Sequence, residues 1–412
     1  MFVLLGMSAL LMGCSEQRDS KGQQTAGPAP AAAREVARPA ERPAWLAPPG
    51  SERPLDAKQS VQSAGSREEE PRPLKIGVIG PETGEEARYG LRVLDGVTQA
   101  AEAFNARGGV AGRPIELVHL DNRSEPAATE RAVRELIQQR VVAILAAPTG
   151  WSTFAPTRFA NDSRTLFMVV GTRRPIRSGP YVFRFALPDE LAAEALLRHL
   201  TTDWRYTRFA LVTSSSYDES LMTSALLKQS VLSHGGEVVV EADTYDAYAG
   251  QTAVPEVVQR LAGQTGVQAI LYTGGAEEGA RLAKALRAAG VRAPLVGGED
   301  LFDAEFLEKG GQDVLDTLLF SSHAPERGPP HLTDRFTALA YDAFMIIARA
   351  IEQTGSTVPA KVRETLLTMT EQEGVTGKSG FTAEGVPVKH PFFYRVAQGQ
   401  GRLTFVPVTP GR

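Results

Sequence analysis

Cysteine is almost absent from the sequence, and this scarcity limits the chemistry open to the chain. The 412 residues include one cysteine, Cys14, so no intrachain disulfide and no site with clustered thiolate ligands can form. An excess of basic residues is missing as well, because 44 Lys and Arg stand against 48 Asp and Glu. The formal net charge of -4 provides no electrostatic footprint for a nucleic-acid backbone. Nucleic acid is therefore not a predicted partner.

Complete catalytic and cofactor motifs are also lacking, although two segments come close to one. Segment 373–379 ends like a phosphate-binding loop, but Gln372 stands where the first glycine of that motif belongs. Residues 150–154 begin like the G-x-S-x-G turn of serine hydrolases and lack its last glycine, which leaves hydrolase as a weak alternative. No G-x-G-x-x-G follows the first strand, and the six histidines have no metal-binding spacing. We predict a protein that is not an enzyme and that uses no cofactor and no metal.

The amino terminus carries a short apolar run. Residues 2–12 are apolar over the length of a signal-peptide core, well short of the roughly 20 residues that a spanning helix needs. The run ends in LMGC at Cys14, which resembles the lipobox of bacterial lipoproteins, although Met12 is not small and no basic residue precedes the run. We predict a lipoprotein signal peptide over residues 1–13 and lipidation of Cys14, which would tether the chain to a membrane surface without spanning it. The alternative is a secreted protein with an incidental cysteine.

Residues 14–73 have the composition of a disordered stalk. Beyond Cys14 the stretch is dominated by Ala, Pro, Arg, Glu, Gln and Ser, with only five bulky apolar residues. Such a composition cannot bury enough apolar surface to offset the entropy lost when a chain becomes ordered. The alternative is a binding segment for a partner, and its only support is Trp45-Leu46.

From Leu74 onward, predicted strands and helices alternate. Apolar runs rich in β-branched residues predict strands at Leu74–Gly80, 115–121, 141–146 and 166–170, and helical apolar periodicity follows each of the first three. This alternation of strands and helices predicts an α/β fold with a parallel sheet and helices on both of its faces. Thr83 and Glu86 have the spacing of a capping box, which predicts that they cap the first helix.

A second run of the same kind begins after residues 181–185. It predicts further strands, separated by helices, at 209–213, 237–241, 269–272, 295–297 and 318–321. About eight strand–helix units are too many for one small sheet and fit two doubly wound lobes, for which the chain is long enough. A long apolar helix from about 333 to 353 and a β region at 381–408 follow. We therefore expect the chain to cross between the lobes more than once.

Sequence landmarks of the folded region resemble those of one family. KIGVIGPETG at 75–84, FNARGGVAGRPIELVHLD at 104–121 and the later YVFR, AYDA and GVTGKSGF segments occur in the order found in the type I periplasmic binding proteins of the branched-chain amino acid (Leu/Ile/Val) family. The resemblance implies three crossovers, near Asp189, Ser321 and Pro387, and a solute bound in the cleft between the lobes. The implied bounds are 74–188 and 322–386 for lobe 1, and 189–321 and 387–412 for lobe 2.

The resemblance implies ligand-binding roles for residues of both lobes. Tyr89 matches the first-lobe aromatic residue that covers the ligand, and Tyr217 matches its second-lobe counterpart. Glu299, with Asp300 beside it, matches the acid that pairs with the ligand ammonium. A carboxylate buried there favours an amine-bearing ligand, because burial is costly without a cation; the alternative is a solvated loop acid. Ala276 stands where the family often has an aromatic residue.

Departures from the family pattern concentrate where lobe 1 holds the ligand carboxylate. Gly150, Trp151 and Ser152 occupy the usual Ser-Ser-Ser-Thr loop, and Thr172 and Arg173 occupy the usual S-A-T-N-P segment. Arg173 would offer a carboxylate a fork of charged donors. Trp151 either stacks on a ring of the ligand or packs at a helix start. These departures argue against Leu, Ile or Val as the ligand.

Two functions agree with these expectations. The first is a solute-binding lipoprotein of an ABC importer, which captures an amino acid or a related small amine or carboxylate and presents it to an inner-membrane permease. The alternative is a ligand-sensing or regulatory envelope lipoprotein of the same fold with no transport role. In both cases we predict a monomer in the periplasm, attached to a membrane only through the lipid on Cys14.

Overall fold

A computed structural model describes the part of the chain that follows the predicted stalk. The described residues are 72–148, 156–173, 179–215, 218–246, 251–399 and 401–408. The predicted signal peptide, Cys14 and the stalk up to residue 71 lie outside them, as do Gly150, Trp151, Ser152 and Tyr217. The described residues all belong to one compact unit.

Strands and helices alternate along the described residues as the sequence predicts. The strands are β1 (Leu74–Gly80), β2 (Ile115–Asp121), β3 (Ala143–Ala146), β4 (Leu166–Val170), β5 (Val182–Phe185), β6 (Arg208–Thr213), β7 (Glu237–Asp243), β8 (Tyr245–Asp246), β9 (Gln251–Thr252), β10 (Ala269–Thr273), β11 (Leu295–Gly297), β12 (Leu318–Ser321), β13 (Ser379–Phe381), β14 (Pro387–Lys389), β15 (Phe392–Gly399) and β16 (Arg402–Val408). The helices are α1 (Ala87–Asn105), α2 (Pro126–Gln138), α3 (Thr157–Ser163), α4 (Asp189–Arg198), α5 (Asp218–Ser233), α6 (Val254–Ala262), α7 (Ala276–Ala288), α8 (Ala304–Gly310), α9 (Arg335–Thr354) and α10 (Pro359–Leu366).

Parallel strands form the first sheet, in the order β2-β1-β3-β4-β5. Successive residues of a strand point to opposite faces, so each strand of this sheet serves two cores. On one face Ile76 and Val78 of β1 pack with residues of α1 and α9. On the other face Ile79 packs with residues of α2 and α3. Burial on both faces explains why these strands read as nearly continuous apolar runs.

The second sheet has the order β16-β15-β12-β11-β10-β6-β7. Strands β6, β7, β10, β11 and β12 are parallel, whereas β15 and β16 join the edge in antiparallel pairing. Helices α6, α7 and α8 contribute to the core on one face, and α4 and α5 contribute to the core on the other. Both sheets are therefore doubly wound.

Three crossings of the chain connect the two sheets. The chain passes from β5 to α4, returns from β12 to α9, and passes from β14 to β15. Helix α9 packs on α1 so closely that a side chain at Gly96 would lie 2.1 Å from the carbonyl oxygen of Thr337. The predicted fold, two doubly wound lobes with three crossovers, is confirmed.

The third crossing falls slightly later than the sequence indicates. Strand β14 pairs with β13, and Phe381 of β13 packs in the first-lobe core, its ring 5.0 Å from that of Phe183. Residues 387–389 therefore stay with lobe 1 through the β13–β14 hairpin, although the implied boundary gives them to lobe 2. The other implied lobe bounds remain a prediction.

The start of α1 differs from the prediction. The Thr83 hydroxyl donates to Asp121 Oδ2 at 2.8 Å, at the end of β2. Glu86 is the N-cap residue of α1 but makes no capping hydrogen bond with its side chain. The predicted capping box is therefore wrong, because the Asp121 carboxylate is a charged acceptor and takes the hydroxyl that would otherwise cap the helix. None of the helices among the described residues has both the length and the apolarity to cross a membrane.

Candidate ligand site between the lobes

Four strand ends meet where the chain crosses between the lobes. In lobe 1, β4 is followed by Arg173, and β5 leads to Asp189 at the start of α4. In the second sheet, β11 is followed by Glu299 and β12 by Ser322. Side chains from these positions contact one another. Ligands of open α/β sheets bind at such carboxyl ends of parallel strands, so this junction is the candidate site.

Charged side chains of both lobes form the centre of the junction. We call them the interlobe cluster, which consists of Arg173, Asp189, Glu219, Glu299, Asp300 and Arg335. The Arg173 guanidinium follows β4 of the first sheet, and the Arg335 guanidinium begins α9, which packs on that sheet. The carboxylates belong to helices and loops of the second lobe. The cluster therefore sets a cationic wall of lobe 1 against an anionic wall of lobe 2.

Arg173 is the most connected member of the interlobe cluster. Its Nη2 lies 2.7 Å from Asp300 Oδ2, its Nε lies 3.4 Å from Asp189 Oδ1, and its Nη1 lies 3.7 Å from Glu299 Oε1. Glu219 Oε2 is 3.6 Å from Nη2. The Arg173 side chain is only 7% exposed, so these carboxylates replace most of its water.

Arg335 supplies the second guanidinium. It is the first residue of α9, and its Nη1 and Nη2 lie 3.3 Å from Glu299 Oε1 and 3.4 Å from Asp300 Oδ1. The guanidinium also lies 4.7 Å from the ring centroid of Phe336. Glu299 and Asp300 are thus each shared between two arginines, one from each of two separate segments of lobe 1.

Hydrogen bonds from neighbouring groups orient the charged side chains. The Thr223 hydroxyl donates to Asp189 Oδ2 at 2.7 Å. The backbone N–H and the hydroxyl of Ser322 donate to Glu299 Oε2 at 2.9 and 2.5 Å. Arg184 Nη1 donates to the Arg173 carbonyl at 2.7 Å. Because Asp189 and Glu299 each have one oxygen fixed in this way, the other oxygen is held toward the guanidinium wall.

Ionic contacts outweigh the effect of burial on the pKa of Arg173 and Asp300, but not on the pKa of Asp189. Burial alone would lower the pKa of Arg173, but Asp189, Asp300, Glu299 and Glu219 together raise it well above its usual range. Burial also opposes ionisation of Asp300, yet Arg173 and Arg335 outweigh it and hold the pKa of that carboxyl below its usual range. The pKa of Asp189 is raised, because burial outweighs the help of Arg173 and Thr223. Burial thus disfavours the charged form of Asp189 despite these two contacts.

A glycine places Arg173 at the junction. Gly171 follows β4 with φ 80°, a left-handed conformation that glycine adopts without cost. A side chain at Gly171 would lie 2.8 Å from the ring of Phe336, next to Arg335 on α9. The turn after β4 therefore packs directly against the start of α9, which brings the two arginines to the same wall.

The other residues that the sequence predicts lie at several places. Tyr89 on α1 is half-buried, its ring is 4.9 Å from that of Phe336, and its hydroxyl accepts a hydrogen bond from Arg88. Thr172 is buried beside Arg173. Ala276 begins α7 and packs against the second-lobe core. Their ligand-binding roles, and those of Arg173 and Glu299, remain predictions, because these positions show contacts and not binding.

Sequence reasoning missed three members of the interlobe cluster. In the sequence Asp189 marks only a crossover, Arg335 lies inside a long predicted helix, and Glu219 lies in one of the helices between predicted strands. Acids in the first turn of a helix, such as Asp189 and Glu219, are expected for the helix dipole alone and therefore carry no separate signal. Only the folded chain, which brings Arg335 to Glu299, distinguishes a site residue from a helix terminus.

Two doubly wound lobes with charged walls at their shared strand ends define a two-lobed binding protein. Residues 73–402 match the periplasmic binding protein family, and the chain belongs to that family. The chain is 26% identical over 329 residues to the leucine-, isoleucine-, valine-, threonine-, and alanine-binding protein of Pseudomonas aeruginosa, covering 76% of this chain and 86% of the relative. It is 24% identical over 300 residues to the Leu/Ile/Val-binding protein homolog 3 of Brucella melitensis, covering 69% and 80%.

A solved structure shares the fold. The crystal structure of a leucine-binding protein from Thermotoga maritima superposes with a TM-score of 0.66 at 23% identity, over 82% of this chain and 99% of that one. The resemblance drawn from the sequence landmarks is therefore confirmed at the level of family and fold. Within the described ranges, no group of three or more His, Cys, Asp or Glu side chains is arranged to hold a metal ion.

Proposed function

We propose that this protein is the solute-binding component of an ABC importer and that it captures an amino acid, or a related small amine or carboxylate, between its lobes. The observation that carries the proposal is the interlobe cluster, in which guanidinium groups of lobe 1 face carboxylates of lobe 2. The names of the relatives from Pseudomonas aeruginosa and Brucella melitensis support the ligand class.

A zwitterionic ligand fits two walls of opposite charge. Its carboxylate would pair with Arg173 on the cationic wall, and its ammonium would pair with Glu299 on the anionic wall. The direct contact between these two side chains, at 3.7 Å, must then open to admit the ligand. The ligand carboxylate then takes the place of Glu299 beside Arg173, and the ligand ammonium takes the place of Arg173 beside Glu299. Both walls therefore remain neutralised when the lobes close.

The proposed ligand contacts extend beyond this pair. Thr172 adjoins Arg173, and Tyr89 reaches the cationic wall through Phe336. Ala276 begins a helix whose amino end favours anionic groups. For Gly150, Trp151, Ser152 and Tyr217 the sequence resemblance is the sole support. We propose that together these residues set the shape of the site and that the charged pair sets its polarity.

Members of this family are solute-binding proteins, and we propose that this chain likewise has no catalytic role. It would work in the periplasm, with an inner-membrane ABC permease as its partner. We further propose that the protein is a monomer and that a lipid on Cys14 tethers it to the membrane. The sequence LMGC supports this tether, since it places the single cysteine at the end of the apolar run.

A screen by thermal shift tests the proposed ligand class. The full chain is heated with amino acids, amides and aromatic acids, each in large excess. A ligand that binds only the folded state stabilises it by about 2.7 kcal/mol at a hundredfold excess over Kd, which raises the midpoint by a few degrees. We expect at least one amino acid or related compound to do so, and the Glu299→Gln variant to lose the shift. A chain that responds to no compound bearing an amine or a carboxylate contradicts the proposal.

Fractionation of cells tests the tether. We expect Cys14→Ser to move the protein from the membrane fraction to the soluble periplasmic fraction, because one lipid site holds it. Met12→Ala is the matched control, since it brings the lipobox closer to its usual pattern and should leave the membrane association intact. Unchanged membrane association of Cys14→Ser would mean that something other than a lipid holds the protein.

A further inference from the structure

A basic pocket lies at the end of lobe 1 opposite the interlobe cluster. Its lining comes from the amino ends of β1, β3 and β4 and from the α9–α10 connection, and its volume is about 590 Å³. The interlobe cluster follows the carboxyl ends of strands in the same sheet. Because the strands are parallel, the pocket lies at their amino ends and the candidate ligand site lies at their carboxyl ends.

Positive charge dominates the lining of the pocket. Arg72, Lys75, Arg113 and Arg140 contribute to it, and no Asp or Glu does. Lys75 pairs with Glu116 at 3.5 Å, but both side chains are more than one-third exposed, so this pair neutralises little. Arg72 and Arg140 form no ion pair with any described residue. Among the described residues, the cations of the pocket therefore outnumber the carboxylates that pair with them.

One of the cations, Arg113, is held in place by the backbone. Arg113 Nε donates to the Arg72 carbonyl at 2.8 Å, and Arg113 Nη2 donates to the Pro73 carbonyl at 3.2 Å. Arg140 follows α2 in the left-handed conformation, with φ 58°, where a glycine or an asparagine would be easier to accommodate. The Thr357 hydroxyl, also in the lining, makes no hydrogen bond with the described residues. The pocket thus offers one fixed guanidinium and a hydroxyl donor as well as charge.

We propose that this pocket binds a phosphate group. Arginine forks and a lysine ammonium are the usual partners of phosphate oxygens, and a dianion matches a site with several unbalanced cations better than a single carboxylate does. Two sources of phosphate fit the position. The tether proposed for Cys14 would keep the chain near phospholipid headgroups. A phospholipid headgroup and a soluble phosphate compound therefore share the required chemistry.

Titration with inorganic phosphate tests the site directly. Calorimetry on the full chain should give saturable binding in the low millimolar range, weakened by salt because the contacts are ionic. Arg140→Asn should weaken it at least fivefold, since asparagine keeps the left-handed conformation while removing the charge. Arg131→Asn is the matched control, because Arg131 is exposed on α2 and outside the lining. Absence of saturation, or equal weakening by Arg131→Asn, overturns the proposal.

Vesicles distinguish the two sources. The Cys14→Ser chain is sedimented with phosphatidylglycerol or with phosphatidylcholine vesicles, so that no acyl anchor contributes. Binding to the anionic vesicles that Arg140→Asn abolishes identifies a lipid headgroup as the source. Phosphate binding without vesicle binding identifies a soluble compound.

A third variant tests whether an acidic segment of the chain itself occupies the pocket. Glu68, Glu69 and Glu70 precede Arg72 by a few residues and carry the charge that the pocket attracts. If phosphate binds only after these glutamates are changed to glutamine, the acidic run is the occupant, and the proposal of an external phosphate is overturned. Equal binding with and without the change supports the proposal.

Discussion

Among the described residues, the interlobe cluster and a second cluster of buried charge differ in how their cations are paired. In the interlobe cluster, Arg173 and Arg335 contact carboxylates directly. In the second, the lysine cluster of Lys389, Thr376 and Asp342, the lysine amine donates to the Thr376 carbonyl and hydroxyl, at 3.3 and 2.7 Å. The Thr376 hydroxyl donates in turn to Asp342. The lysine therefore meets its carboxylate only through a neutral group.

The pKa values follow from this difference. Carboxylate contacts outweigh burial in the interlobe cluster and raise the pKa of both arginines. In the lysine cluster the effect of burial is larger than that of Asp342 and Glu299, which favour the charged amine. Burial therefore lowers the pKa of Lys389 to about 8. Direct pairing thus maintains charge that a ligand can use. Indirect pairing instead joins α9, the loop before β13 and strand β14, close to the third crossing.

Breaking the interlobe cluster should have the largest effect. Arg173→Ala removes the guanidinium proposed for the ligand carboxylate and leaves buried Asp189 without its ion-pair partner, and Glu299→Gln leaves the ligand ammonium without its acid. We expect either change to cost on the order of 2 to 5 kcal/mol of ligand binding, roughly thirty-fold to several-thousand-fold in affinity. Calorimetry with a ligand from the thermal-shift screen measures this effect.

Arg198→Ala is the control for this comparison. Arg198 makes an exposed pair with Glu194 on the same helix, so its loss should change affinity by less than about twofold. If Arg173→Ala and Glu299→Gln both bind within about threefold of the parent, the interlobe cluster holds the lobes together but does not anchor the ligand.

Breaking the lysine cluster should act on stability instead. The Asp342 carboxylate accepts from the backbone N–H groups of Val375 and Thr376, at 3.0 and 2.8 Å, and from the Thr376 hydroxyl. Asp342→Ala leaves these donors without an acceptor, and we expect the free energy of unfolding to fall by about 3 kcal/mol. Urea denaturation measures the loss, and ligand affinity should stay within about twofold under conditions where the variant is folded. A large loss of affinity with unchanged stability would reverse the roles given to the two clusters.

The pH dependence of stability should reveal the buried lysine. The folded protein releases the Lys389 proton near pH 8, whereas the unfolded chain holds it until about its ordinary pKa of 10.5. The unfolded state therefore binds more protons between these values, and stability rises with pH. From pH 8 to pH 10 we expect a gain of about 2 kcal/mol in the free energy of unfolding.

Lys389→Met identifies the source of the gain. The pKa of Tyr394 is raised by burial and by its hydrogen bond to Glu326, so its contribution has the opposite sign and lowers stability as the pH rises past 10. Both proteins contain Tyr394, and the difference between their urea curves isolates the lysine. If the parent and Lys389→Met show the same slope from pH 8 to pH 10, Lys389 keeps its proton in the folded state.

Much of the fold could be predicted from the sequence because its strands are short, apolar and bounded by turn residues. Strands β1, β2, β4, β11 and β12 begin and end where the apolar pattern places them. Burial on both faces of each sheet makes that pattern strong. Helix caps were less predictable, since the Thr83 hydroxyl is taken by Asp121, a residue 38 positions away whose nearness depends on the sheet.

The candidate site could be predicted only in part, because it too depends on contacts between residues that are distant in the sequence. Arg173, Glu299 and Asp300 could be named from the family resemblance, because each lies in a short recognisable segment. Their mutual contacts could not be predicted, since Asp300 is 127 residues from Arg173 and reaches it only through the packing of two lobes. Arg335 carries no local signal at all. The lysine cluster was missed because a lone lysine near the chain end looks like a surface residue.

The smallest expected effect concerns Tyr89, at the edge of the cationic wall. Its ring packs edge-on against Phe336, 4.9 Å away, and the Arg335 guanidinium lies over that same phenylalanine. Tyr89→Ala removes shape and ring contact but no charge, so we expect a loss of about 1 kcal/mol in ligand binding, roughly fivefold. Tyr89→Phe keeps the ring and should bind like the parent. Calorimetry with the same ligand decides the order: a Tyr89→Ala loss equal to that of Arg173→Ala would mean that an aromatic surface, and not the interlobe cluster, supplies most of the affinity.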